Sequence, residues 1–297
     1  QFCNLSEVVI REGDTLASLK KKVETAAIIG TLQATLTDFR YLRNLWKRNT
    51  EEEALLGLSM TGIMDHPTLG NSSDKTKQWL EELKEVAITT NKIWAEKLGI
   101  AQSVAITCVK PSGTVSQLVD SASGIHPRFS KQYIRRVRSD KKDPLAVFME
   151  DKGFPVEQDV MSPASAVFSF PVKAPEKSVT VAEVGAMQQL ELWKTYQNHW
   201  CEHKPSITVY YTDNEFLQVA QWIWDNFEIC SGISLLPVSD HVYQQAPYED
   251  ISIEKYNELL AAMPQGVSWE DLENFEQEDN TTGSQELACT GGACEIV

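Results

Sequence analysis

The chain has 297 residues, of which 42% are hydrophobic, and it carries a formal net charge of −15 at pH 7. This length and hydrophobic content predict a folded protein with a sizeable core, and no apolar run reaches the roughly 18 residues that a membrane-spanning helix needs. Nine acidic residues and no basic residue follow Lys255. The acidity therefore belongs largely to the end of the chain and argues against a nucleic-acid-binding surface.

Strand-like and helix-like hydrophobic patterns alternate along most of the chain. Predicted strands cover residues 4–10, 55–63 (a strand or a buried loop), 103–109, 133–137, 166–172, 207–211 and 232–236. Predicted helices cover residues 15–37, 74–98, 114–119, 143–152, 181–200, 213–227 and 252–262. This alternation predicts an α/β fold with mostly parallel strands. The pattern ends at Pro264, so we expect a folded domain at 1–264 and a flexible acidic tail at 265–297.

The six cysteines are too few and too scattered for a secreted disulfide scaffold, and the chain opens without the features of a signal peptide. We therefore expect reduced thiols and a cytoplasmic location. Cys289 and Cys294 stand apart because they lie near the chain end with two glycines between them. Such a pair is typical of a disulfide that forms and breaks reversibly. Half a zinc site or two unreactive thiols are the alternatives, and no second ligand pair lies nearby to complete a zinc site.

A phosphate-binding turn is one interpretation of Lys110–Ser116, which joins a predicted strand to a short helix. The first N–H groups of a helix have no partner within it, Gly113 permits a close approach, and the hydroxyls of Ser112 and Thr114 can add donors. The spacing is not that of a Walker loop. An ordinary helix cap is the alternative.

A second loop, residues 121–129, follows at the same predicted edge of the sheet, where α/β proteins bind ligands. The candidates there for contacts to a substrate or cofactor are Gly124, Ile125, His126 and Pro127. His126 fits either a general acid or ligand contact, or a hydrogen-bonded loop histidine. The basic stretch from residue 128 to 142 fits either a phosphate-bearing ligand or a solvated surface strand. We predict no metal site.

Seven short segments occur along the chain in a recognisable order. They are Phe2–Glu7, Gly57–Gly62, Pro111–Ser116, Gly124–Pro127, Val209–Tyr211, Gly232–Pro237 and the terminal cysteine pair. Together they resemble the C-terminal part of a ribonucleotide reductase catalytic subunit, most closely that of the adenosylcobalamin-dependent ribonucleoside-triphosphate reductases. The resemblance covers essentially the whole chain. Each segment alone is a weak signal, and the specificity comes from the set.

This resemblance implies a ten-stranded α/β barrel of two halves, of which residues 1–264 would be the second half. Cys3 would be one of two cysteines that reduce the ribose and become a disulfide, its partner lying in the N-terminal half. The turn that holds the substrate phosphates would consist of Ser112, Gly113, Thr114 and Val115. Cys289 and Cys294 would re-reduce the active-site disulfide and be reduced in turn by a thioredoxin-like protein.

The resemblance also implies the cofactor and the partners. Adenosylcobalamin would start the radical reaction on a ribonucleotide substrate, and neither nucleic acid nor a membrane is expected as a partner. Tyr210 and Tyr211 resemble a radical-relaying tyrosine pair, which favours the alternative of a two-subunit metal-radical reductase. The Pro-Ser-Gly-Thr turn and the spacing of the terminal cysteines favour the cobalamin class.

The chain begins at Gln1, and the resemblance places the radical-bearing cysteine upstream of Cys3. We therefore expect a fragment or one half of a split enzyme that is inactive alone. A non-catalytic module that binds a nucleotide or a partner chain is the remaining alternative.

Overall fold

A computed structural model describes residues 2–238 and 244–277. The strands are β1 (Asn4–Val9), β2 (Leu56–Thr61), β3 (Gln132–Asp140), β4 (Val156–Gln158), β5 (Ser165–Lys173), β6 (Ile207–Tyr211), β7 (Ile233–Pro237) and β8 (Tyr248–Asp250). The α-helices are α1 (Leu16–Gln33), α2 (Asn44–Glu53), α3 (Asp74–Leu98), α4 (Gly113–Leu118), α5 (Pro144–Asp151), α6 (Ala186–His199), α7 (Phe216–Asp225) and α8 (Ile253–Ala262). The described residues divide into two compact units, the first comprising residues 2–128 and 181–238 and the second residues 129–180 and 244–277.

The first unit is built on parallel strand pairing. β1 runs parallel to β2, with Leu5 opposite Gly57, and β6 runs parallel to β7. Isolated parallel bridges, Leu58 to Thr107 and Val109 to Pro205, join the two pairs through the segment 105–109. Five extended segments therefore lie side by side in the order β1, β2, 105–109, β6 and β7. The strand predicted at 103–109 is present only as these bridges.

Helices cover one face of this parallel arrangement. α1 contacts β1 and β2, α3 packs on α1 and α6, and α6 contacts β6. α3 begins after Ser73, whose side chain accepts a hydrogen bond from the N–H of Thr76, and ends at Gly99 in the left-handed conformation (φ 68°). The core under these helices includes the fully buried side chains of Leu19, Leu80 and Trp193.

The second unit contains an antiparallel sheet in the order β4, β5, β3, β8. β3 and β5 pair antiparallel along their whole lengths. β4 pairs with β5 and β8 pairs with β3, and both of these pairings are also antiparallel. The prediction of mostly parallel strands is therefore wrong for this unit, although the mixed α/β class is confirmed. Antiparallel neighbours need no crossover helix, so the alternation of helices and strands in the sequence was not evidence for parallel pairing here.

The unit boundaries also differ from the sequence-based division at residue 264. Residues Trp269–Asn274 form a 3-10 helix, and the rings of Trp269 and Phe275 both lie 5.4 Å from the ring of Phe148. The start of the predicted tail is thus packed against α5 because it carries apolar side chains. α2, β4 and β8 were not predicted. Within the described residues, no helix is both long and apolar enough to cross a membrane.

Candidate functional site

The face of the parallel arrangement that α1 does not cover carries two cysteines over one glycine. Side chains alternate along a strand, so Cys3, Leu5 and Glu7 point to the same face. A Cβ at Gly57 would lie 2.4 Å from Leu5 Cδ2, 2.7 Å from Cys3 Sγ and 3.6 Å from Cys108 Sγ. The two sulfurs therefore approach each other over β2 only because residue 57 has no side chain.

The two thiols differ in their access to solvent. Cys3 is exposed, whereas Cys108 is buried. Desolvation raises the pKa of the Cys3 thiol above its ordinary value, and Lys110 partly opposes that shift. Burial raises the pKa of Cys108 to about 12, although the positive charge of Lys110 acts to lower it. Both groups are therefore protonated thiols at neutral pH, and Cys3 is the one that a ligand or another thiol can reach.

Glu7, on the same strand face as Cys3, holds the predicted phosphate turn. The Ser112 hydroxyl donates a hydrogen bond of 2.7 Å to Glu7 Oε2, and the Ser112 N–H donates one of 2.9 Å to Ser123 Oγ. Ser112 is buried and both of its donors are engaged. In this conformation the Ser112 hydroxyl therefore donates within the protein, and its contact to a ligand stays a prediction. Burial raises the pKa of Glu7, and the bond from Ser112 opposes the shift.

The following residues of the turn offer the free donors. Gly113, Thr114 and Val115 are the first residues of α4, so their N–H groups have no acceptor within that helix. No other acceptor for these three N–H groups is found in the part of the chain that the structure describes. Thr114 and Val115 are exposed. The turn follows the 105–109 segment and lies where the sequence predicted it.

A cluster of charged side chains fixes the far end of α4. Arg128, only 4% exposed, forms ion pairs of 3.1 Å with Asp65 and 2.8 Å with Asp120. Arg11 donates to the main-chain oxygens of Val119 and Asp120. Asp65 also accepts from the N–H of Ala122 at 2.8 Å. The loops that follow β1, β2 and α4 are thereby tied together.

The loop at 124–127 is rigidly held. Gly124 has a φ of 55°, and a Cβ there would lie 2.5 Å from the oxygen of Lys110, so the close approach requires glycine. The side chains of Ile125 and Pro127 are buried. In this conformation neither of these two side chains is exposed to solvent.

His126 is held by hydrogen bonds at both ring nitrogens. Its Nε2 accepts from the N–H of Thr208 at 2.9 Å, so Nδ1 carries the proton and donates to the oxygen of Ser123 at 3.0 Å. Burial lowers the pKa of His126. This geometry favours the hydrogen-bonded loop histidine over a general acid.

The basic stretch is largely satisfied by protein partners. Arg136 pairs with Glu249, and Arg138 pairs with Asp159 at 3.3 Å. The guanidinium of Arg135 lies 4.7 Å above the ring of Tyr248. These contacts favour a structural role for β3 over binding of a phosphate-bearing ligand. Among the described residues, no three His, Cys, Asp or Glu side chains lie close enough to hold a metal ion.

Several residues of this site were given no individual role from the sequence. They are Glu7, Gly57, Asp65, Cys108, Asp120 and Arg128. The alternation of side chains along β1 could have placed Glu7 on the face of Cys3. The others are brought in by contacts between distant segments. Cys289 and Cys294 lie outside the described residues.

Comparisons with known proteins agree on one family. No protein-family profile matches the chain. It is 27% identical to the adenosylcobalamin-dependent ribonucleoside-triphosphate reductase of Lactobacillus helveticus (strain DPC 4571) in an alignment of 328 positions. That alignment covers 99% of this chain and 43% of the relative. It is 29% identical over 272 residues to the reductase of the same name from Euglena gracilis, covering 90% of this chain and 37% of the relative. The chain thus spans less than half the length of these curated relatives.

A solved structure supports the same relationship at the level of the fold. The crystal structure of a B12-dependent, class II ribonucleotide reductase superposes with a TM-score of 0.73 at 23% identity, covering 93% of this chain and 41% of that chain. The resemblance seen in the sequence is therefore confirmed.

Proposed function

We propose that this chain, related along almost its whole length to part of the adenosylcobalamin-dependent ribonucleoside-triphosphate reductases, forms the C-terminal half of the catalytic barrel of such an enzyme. Five parallel segments with helices on one face, and Cys3 exposed on the other, suit one half of a ten-stranded barrel. The observation that carries the proposal is that Glu7, on the same strand face as the exposed Cys3, contacts Ser112 of the phosphate turn. The reducing thiol and the phosphate site then act on the same bound nucleotide.

The reaction is the conversion of a ribonucleotide to a 2′-deoxyribonucleotide. The C2′–O bond breaks and its oxygen leaves as water, while two thiols supply two hydrogen atoms and become a disulfide. Cys3 supplies one of them, and its partner belongs to the part of the enzyme that this chain does not cover. The raised pKa of Cys3 keeps the sulfur protonated at neutral pH, which is the form that can give hydrogen to the substrate.

Adenosylcobalamin, the cofactor in the name of the relatives, would supply the initiating radical when bound. Two hollows of about 410 and 600 Å³ in the described part of the chain are lined by residues between 35 and 47, at the end of α1 and the start of α2. Neither is lined by Cys3 or by the phosphate turn. We therefore assign no step through the cofactor to side chains of this chain.

The substrate phosphates are held by the N–H groups of Gly113, Thr114 and Val115, with Ser112 behind them. The disulfide formed by Cys3 is re-reduced by Cys289 and Cys294, and these by a thioredoxin-like protein. This thiol exchange and the scattered cysteines suit the reducing cytoplasm.

The phosphate site is tested by Gly113→Val in a full-length reductase that contains this chain. The branched side chain obstructs the approach of an anion to the N–H groups, so we expect the dissociation constant for a ribonucleoside triphosphate to rise at least roughly tenfold. Gly13→Val is the matched control, since no heavy atom lies within 4 Å of a Cβ at Gly13. Unchanged nucleotide affinity in a folded Gly113→Val enzyme would contradict the assignment.

A further inference from the structure

We propose that Glu7 is a positioning residue for the phosphate turn, and that its charge weakens the binding of highly charged phosphates there. This inference rests on the proposed function, because it concerns the same turn. Glu7 acts through Ser112 and need not touch the ligand. Its two contributions, a hydrogen-bond acceptor and a negative charge, have opposite effects on binding and can be separated by substitution.

The positioning role follows from the contacts of Ser112. This buried residue lies directly before the free N–H groups, and it is held from two sides by Glu7 on β1 and Ser123 in the following loop. The Ser116 hydroxyl also donates to the main-chain oxygen of Ser112. Loss of the Glu7 acceptor leaves the hydroxyl of Ser112 without its buried partner and releases one side of the turn.

The charge role follows from the surroundings of Glu7. Cys3 shares its strand face and Ser112 contacts it from the turn. Cys108, in the segment beyond β2, is close enough for the charge of Glu7 to raise its thiol pKa, whereas Lys110 lowers that pKa. Cys108 is a neutral thiol, and no cationic nitrogen forms a salt bridge with Glu7 in the part of the chain that the structure describes. A phosphate bound to the turn therefore lies near a carboxylate that has a hydrogen bond from Ser112 but no cationic partner among the described residues. Like charges at such separations repel in a partly desolvated site.

Two substitutions distinguish these contributions. Glu7→Gln keeps an oxygen that accepts from Ser112 and removes the charge, whereas Glu7→Ala removes both. At pH 8 we expect Glu7→Gln to bind a ribonucleoside triphosphate roughly tenfold more tightly than the parent, with a smaller gain for the matching monophosphate. We expect Glu7→Ala to bind the triphosphate at least roughly tenfold more weakly than Glu7→Gln, because the turn is no longer held.

The pH profile separates a charge effect from a merely structural one. A bound anion favours the protonated carboxyl, so the affinity of the parent should approach that of Glu7→Gln as the pH falls towards the pKa of Glu7, which lies above 4.5. The ratio of the two affinities cancels the titration of the ligand's own phosphates. Glu24→Gln, an exposed position on α1, changes the net charge equally and should leave the affinity unchanged.

The decisive experiment measures the dissociation constants of a ribonucleoside triphosphate and its monophosphate for the full-length reductase between pH 5.5 and 8.5. Equal affinities of Glu7→Gln and the parent at every pH would overturn the charge role, and equal affinities of Glu7→Ala and Glu7→Gln would overturn the positioning role. Should Glu7→Ala fail to fold, Ser112→Ala breaks the same contact from the other side. It should then bind the triphosphate more weakly than the parent, and equal affinities of these two proteins would overturn the positioning role. Failure of the parent itself to bind either nucleotide would overturn the proposed function together with this inference.

Discussion

The sulfur of Cys3 lies where a side chain at residue 57 would have to be, since a Cβ at Gly57 would come within 2.7 Å of Cys3 Sγ. The glycine therefore determines where the exposed thiol is held. It also brings that thiol close to Cys108, whose sulfur lies 3.6 Å from the same point.

Gly57→Ala should move Cys3 without unfolding the protein. The atoms that the new methyl group meets belong to the side chains of Cys3 and Leu5, which can rotate away, and the backbone need not shift. We expect Cys3 to be pushed towards solvent, where less desolvation lowers its thiol pKa and alkylation becomes several-fold faster. Timed iodoacetamide labelling with peptide mass spectrometry measures the rate at Cys3 alone.

Gly13→Ala is the control, because no heavy atom lies within 4 Å of a Cβ at that position. Its Cys3 labelling rate should equal that of the parent. An unchanged rate in Gly57→Ala would show that the glycine does not constrain the thiol.

Arg128→Ala should be strongly destabilising. The guanidinium is 4% exposed and pairs with Asp65, whose side chain is 14% exposed. Removing it leaves a partly buried carboxylate without its cation, which costs on the order of 3 kcal/mol of unfolding free energy. Urea unfolding followed by circular dichroism measures the loss. Arg40→Ala breaks an ion pair whose partners are 78% and 76% exposed and should change nothing measurable. Similar stabilities of the two variants would contradict the prediction.

Local signals in the sequence predicted most of the regular structure. α3 was predicted to within a residue because Ser73 caps its start and Gly99 ends it in a left-handed conformation. β6 was predicted at its observed bounds for a similar reason, since an apolar run lies between turn residues. α2 was missed because its sequence, Asn44–Glu53, is largely polar and has no apolar stripe.

The contacts that build the site could not be predicted in the same way. Ser112 and Glu7 are 105 positions apart, and Arg128 and Asp65 are 63 apart. The antiparallel pairing of Arg136 with Ser169 also joins residues from separate elements of the sequence. Spacing rules predict which side chains share a face only for residues of the same helix or strand. The sequence therefore pointed to the phosphate turn, whereas the side chains that hold the turn emerged only from the fold.

His126 should make the stability of the protein depend on pH. Burial lowers its pKa in the folded state below the ordinary value of 6.5, so the unfolded chain binds a proton more readily. The unfolding free energy therefore keeps its full value above pH 6.5. It should decrease as the pH drops from 6.5 through the lowered pKa of His126. His126→Asn removes this group, so its unfolding free energy should fall less between pH 7.5 and pH 5.5 than that of the parent. Parallel falls in urea-unfolding experiments on the two proteins would show that His126 does not titrate as expected.

Cys289 and Cys294 should matter for repeated turnover and not for the first reduction. Of the described cysteines, Cys3 is the exposed one, whereas Cys108 and Cys201 are buried, so a thiol carrier can reach Cys3 directly. In a full-length reductase, Cys289→Ser with Cys294→Ser should complete one reduction per prereduced site and then stop when thioredoxin is the reductant. A small dithiol should restore part of the turnover, because it can attack a disulfide at Cys3 without the terminal pair. Cys230→Ser, which removes a half-buried thiol elsewhere, should turn over normally. Product counted in single-turnover and steady-state assays measures both phases, and normal thioredoxin-driven turnover of the double variant would mean that the terminal thiols carry no electrons to Cys3.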